Sequence, residues 1–112
     1  MSDDDFAFDI EAAGDRTVIR LRGEVDMANA TDLADALGTA ADLGRPVVID
    51  VSELSFIDSA GFAAIHRSIE RVRVHLVVPA TTRTARAFAV SGLDSVLPVV
   101  RSLDEVQIDD EV

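Results

Sequence analysis

Residues Pro46-Val-Val-Ile-Asp-Val51 form a short, nearly continuous β-branched run, and a run of that kind leaves few folds open. A strand with one wet face alternates apolar and polar side chains. A run without alternation reads as a central strand buried on both faces, typical of parallel sheets covered by helices. The segments on either side fit that frame. Before the run, Ala28 to Leu43 is Ala-rich and places Leu33, Ala36, Leu37, Ala40 and Ala41 on one face. Gly44 follows where a helix C-cap glycine belongs. After it, beyond an expected loop at Ser52 to Ile57, Phe62, Ile65, Ile69 and Val72 recur at i, i+3, i+7 and i+10, which predicts a second helix starting near Ser59.

Upstream, Phe6 to Ala12 alternates Phe6, Phe8 and Ile10 with smaller or polar residues, Gly14-Asp15 supplies a turn, and Thr17 to Leu21 is β-rich; together they predict an antiparallel hairpin. Downstream, Val74 to Val78 is another β-branched strand. Thr81 or Thr82 is placed to cap a helix carrying Ala85, Phe88 and Ala89, and Gly92 to stop it. Leu97 to Val100 and Ser102 to Val106 suggest a last short strand and helix. Strand and helix alternating after a hairpin imply right-handed crossovers. The expected fold class is therefore α/β: a mixed, mainly parallel sheet opened by an antiparallel hairpin and covered by about four helices.

With 112 residues, 48% of them apolar, the chain has the material for one domain with a real core and too little for two. The expectation is a single domain over 1–112, ordered from about residue 6 to 107. The acidic runs Asp3 to Asp5 and Asp109 to Glu111 read as frayed, solubilising ends.

Every one of the ten basic residues is Arg, and acidic residues outnumber them to a formal charge of -11. Such a surface repels nucleic acid and anionic lipid, so neither is an expected partner. There is no Cys, and His66 and His75 are the only histidines, which leaves no thiolate chemistry, no Cys-ligated zinc and no expected metal site or cofactor. The opening Met1-Ser-Asp-Asp-Asp has no basic n-region or apolar stretch, and no window reaches about 18 apolar residues; a cytoplasmic protein is expected.

The chemistry-bearing segment is Ser55-Phe-Ile-Asp-Ser-Ala-Gly-Phe62, at the carboxyl end of a buried parallel strand, the edge where α/β folds build sites. Ser59 falls in the first turn of the second helix, where unpaired N–H groups and the dipole favour an anion such as a phosphoryl group. Taken alone, Asp58 or Ser59 reads as no more than a helix cap. A serine hydrolase would need a base near Ser59, but His66 lies seven residues along the same helix, about 10 Å away by helix rise. A receiver domain would want an acidic pair and a charge-sensing Lys, and the chain has no Lys. No phosphate-cradling Gly-rich motif is present. The protein reads as a binding module with no catalytic residues, not an enzyme.

Four blocks together resemble the STAS family, and within it the stand-alone anti-sigma factor antagonists. Gly23-Glu-Val-Asp26 resembles that family's Gly-Glu-Leu-Asp, and Val48-Ile-Asp-Val-Ser-Glu-Leu-Ser-Phe-Ile-Asp-Ser-Ala-Gly61 its core signature. Val77-Val-Pro79 resembles its fourth strand and Ser91-Gly-Leu-Asp94 the exit of its third helix. The resemblance implies a single STAS domain that binds an anti-sigma factor with serine kinase activity and so releases a sigma factor, with phosphorylation of Ser59 switching binding off. A serine phosphatase is a further candidate partner. It implies a partner surface of Asp26, Asp58, Ser59, Ala60, Gly61, Ala63, Ala64 and Arg67, with Ala60, Ala63 and Ala64 on the open side of the helix. Ala64→Arg is then expected to block docking at little cost in stability. The chain has Ser59-Ala60 where many members have Ser-Ser, leaving one acceptor hydroxyl, and Ala63 where Gly is common. The alternative within the family is a component of a stressosome or of a transport-accessory complex.

Overall fold

The computed structural model of the protein describes residues 5–108; of the acidic end runs, all but Asp5 lie outside the described residues. The elements run β1 (Ala7–Ala13), β2 (Arg16–Val25), α1 (Ala30–Ala41), β3 (Val47–Ile57), α2 (Ser59–Ser68), β4 (Val74–Val77), α3 (Ala85–Val90) and β5 (Val99–Val100), with single 3-10 turns at Leu93–Ser95 and Leu103–Glu105. The strands form one sheet in the order β1-β2-β3-β4-β5. β1 and β2 are antiparallel, pairing Ile10 with Ile19, and every other pair is parallel. The α/β class and the opening hairpin are as expected. Three α-helices and two 3-10 turns stand where about four helices were expected.

β3 departs from its expected limits. The segment Ser52–Ile57, expected as a loop, continues the strand. The continuation is irregular: Arg20 pairs with Asp50 but Arg22 with Glu53, and Gly23 with Leu54 but Glu24 with Phe56. Each shift inserts an extra β3 residue, a bulge that bends the strand and breaks the period of two that marks strands in sequence. α3 is also shorter than expected. Its cap position is Thr84, and the Thr82 hydroxyl instead donates to the carbonyl of Ser52 at 3.1 Å.

The two faces of the sheet are unequal. The main core joins Ile19, Leu21, Val47, Ile49, Val51 and Leu76 to Leu33, Leu37, Ile65, Phe88 and Leu93, so all three helices share one cluster. The second cluster is small, with Val18, Val48 and Val77 lying against Val106. There the cover is the C-terminal segment rather than a helix. It is held by Arg16 Nη1 donating to the Val106 carbonyl at 3.3 Å and by Arg101 Nη1 donating to that of Val78 at 3.1 Å. Gly44, which ends the turn after α1, has φ +77° with open space around its α-carbon, a backbone conformation that glycine adopts without strain.

Candidate functional site

Parallel strands deliver their carboxyl ends to one edge, and β2 and β3 finish there side by side, with Val25 paired to Ile57. The Asp58 N–H donates to the Val25 carbonyl at 3.2 Å, extending the ladder by one bond before α2 begins. The Asp58 backbone is extended, as an N-cap residue must be, and its Oδ1 accepts from the N–H groups of Ala60 at 3.0 Å and Gly61 at 3.2 Å. These are two of the four N–H groups that a helix start leaves without intrahelical partners. Its second oxygen, Oδ2, accepts from the Met27 N–H at 3.2 Å. One carboxylate thus ties the start of α2 to the β2–α1 turn.

That turn is held from within. Asp26 Oδ1 accepts from the Ala28 N–H at 2.9 Å, Asn29 Oδ1 accepts from the Asp26 N–H at 2.9 Å, and Asn29 Nδ2 donates to the Glu24 carbonyl at 3.0 Å. Asp26 directly precedes Met27, whose N–H Asp58 holds.

Ser59 is exposed at the first position of α2, immediately after the clamp. The Ala60 and Gly61 N–H groups beside it serve the Asp58 carboxylate.

Of the remaining expected surface residues, Ala60 is partly exposed and Ala63 and Arg67 are exposed, but Gly61 and Ala64 are not on the open side. The buried face of α2 is Gly61, Ala64, Ile65 and Ser68. At Gly61 a β-carbon would stand 2.6 Å from Ile57 Cγ1 and 2.9 Å from Val25 Cγ1, so this position lets α2 sit on the strand ends. Ala64 is buried near α1, bordering a cleft with Ala34, Leu37 and Gly38. Ala64→Arg would force a guanidinium into that contact, so it is a core substitution and not a neutral probe of docking.

His66 is exposed on α2, and His75 is buried in β4 with its Nδ1 unpartnered among the described residues. Among the described residues no group of three or more His, Asp or Glu is placed to hold a metal ion, and no helix is long and apolar enough to cross a membrane. Met27, missed in the sequence reading, is a large apolar side chain at 82% exposure beside the clamp. Its only sequence signal is an apolar residue inside a polar turn.

Comparison with known proteins agrees with this architecture. The family model described as Mlab, STAS domain matches residues 8–101. BtrV of Bordetella bronchiseptica, assigned as an anti-sigma factor antagonist, is 34% identical over 87 residues, covering 73% of this chain and 75% of its own. The crystal structure of an anti-sigma factor antagonist from Mycobacterium paratuberculosis superimposes with a TM-score of 0.78 at 27% identity, over 93% of this chain and 92% of that one. The Bacillus cell fate determinant SpoIIAA in its phosphorylated form shares the fold, with a TM-score of 0.59 at 24% identity over 88% and 95% of the two chains. With a family model spanning nearly the whole described sheet and a relative alike over three quarters of its length, the chain belongs to the STAS domain family.

Proposed function

We propose that the protein is a cytoplasmic anti-sigma factor antagonist whose unphosphorylated form binds an anti-sigma factor with serine kinase activity, and that phosphorylation of Ser59 releases that partner. The observation that carries this reading is the exposed Ser59 hydroxyl at the first position of α2, directly after the Asp58 clamp. The assignments of BtrV and of the mycobacterial antagonist support the role, and SpoIIAA, whose fold is shared, exists in a phosphorylated form.

Charge placement explains the switch. A phosphoserine adds about -1.5 to -2 charges at neutral pH. In the free protein that charge is solvated, because Ser59 is exposed. Against a partner it must lose water beside Asp58, whose carboxylate is already committed to three backbone donors, and an unpaired buried charge commonly costs several kcal/mol. Each ~1.4 kcal/mol weakens binding about tenfold. A serine phosphatase would reset the protein, and Asp26, Ala60, Ala63 and Arg67 would complete the docking surface. The role in this reading is binding rather than turnover.

The test is calorimetric titration against the purified anti-sigma kinase, paired with thermal melts. Ser59→Ala should bind like the unphosphorylated parent, Ser59→Glu at least about a hundredfold more weakly, and all should melt together. Equal affinity of the two variants would reject charge at Ser59 as the switch.

A further inference from the structure

Building on that docking surface, we propose that Met27 is its specificity-determining anchor, a single apolar knob that enters an apolar recess on the anti-sigma kinase. Among the described residues, Met27 at 82% is the most exposed large apolar side chain, and solitary exposed apolar residues normally need no explanation. Its mounting sets it apart. The Met27 N–H is held by Asp58 Oδ2, the next residue's N–H by Asp26 Oδ1, and the turn's two ends by the Asn29 side chain. A connection between a strand and a helix does not require an apolar residue at its tip, and a flexible one would lose ordering entropy on binding. A turn fixed in advance avoids that cost.

The surroundings have low relief. Ala28, Ser59, Ala60 and Ala63 carry side chains of one or two heavy atoms and are exposed or partly exposed, so Met27 is the projecting feature of the patch. Methionine is enriched at interfaces, and its unbranched thioether adapts to the recess it meets. The Asp58 carboxylate that fixes Met27 is adjacent to Ser59, so the knob and the phosphorylation switch share one rigid mount and engage one partner surface.

The probe is the anti-sigma kinase captured from native cells by the Ser59→Ala protein, identified by mass spectrometry, then expressed and purified for titration. In the unphosphorylated background, Met27→Ala should weaken binding about tenfold or more and Met27→Asp about a hundredfold or more, as expected for a central contact. Met27→Leu should stay within about threefold of the parent. Val90→Ala, a truncation at a comparably exposed apolar site on α3, should change nothing. Because Met27 is exposed, its variants should melt with the parent. Met27→Ala binding within about twofold of the parent, while Ser59→Glu binds poorly, overturns the anchor and leaves the docking surface standing. Equal binding by Ser59→Ala and Ser59→Glu rejects the switch, and a Met27→Ala loss in that case still supports the anchor.

Discussion

The carboxylate of Asp58 accepts from the backbone N–H groups of Met27, Ala60 and Gly61, so its loss frees donors on two separate segments. Asp58→Ala should destabilise the protein by about 0.5–2 kcal/mol, the range for removing an N-cap side chain. Native-state hydrogen exchange should accelerate at the Met27 amide as well as at Ala60 and Gly61; urea denaturation gives the first quantity. A stability loss with an unchanged Met27 amide would mean that the cap acts on α2 alone. The capping half of this was legible in the sequence, because an Asp directly before a helical period is a local signal. The Met27 half was not, because it joins positions 31 residues apart. Ala64 failed for a different reason. The largest apolar residues of α2 defined an expected stripe, but the face that packs closest uses Gly61, Ala64 and Ser68, where small side chains permit approach and carry little hydrophobic signal.

β3 changes character along its length. From Val47 to Val51 it is buried throughout, and that half was readable from its β-branched run. Beyond Val51 two bulges and the exposed Ser52, Glu53 and Phe56 interrupt the alternation, so the local pattern reads as a loop although the chain stays in the sheet. Leu54 is the marker of the difference. It is 1% exposed and belongs to the main core, whereas a loop leucine would contribute little. Leu54→Ala should therefore cost about 2–5 kcal/mol, the range for truncating a buried leucine. A shift in urea midpoint corresponding to less than ~0.5 kcal/mol would return Ser52–Ile57 to loop behaviour. The bulged half of β3 also sets the height of Ser59, since the strand must deliver Ile57 beside Val25 before α2 can start on the glycine contact.

Across the whole molecule, the helices cover one face of the sheet and the C-terminal segment covers part of the other, a division that alternation along the chain could not reveal. The sequence order of strands and helices was enough for the sheet's class, but cover by a segment with only one 3-10 turn left no periodic trace. His75 lies on this second side in β4, only 5% exposed. Burial holds its pKa below the ordinary histidine value; a hydrogen bond to the Gln107 backbone opposes that shift, and the positive charges of Arg73 and Arg16 add to it. The unfolded chain returns the imidazole to about 6.5. Between the depressed folded pKa and that value the unfolded state binds more protons, so stability rises with pH through the window. It is fully present above about pH 6.5 and is lost as pH falls towards the folded pKa. The Gln107 backbone offsets part of the cost of a protonated ring, but burial outweighs it and the two arginines add to the penalty. Urea midpoints for the parent should decline from pH 7.5 to 5.5, while His75→Gln, which keeps a polar side chain and cannot titrate, should show a flatter profile. Parallel profiles for parent and variant would assign the acid sensitivity to the carboxylates and leave His75 a neutral part of the second core.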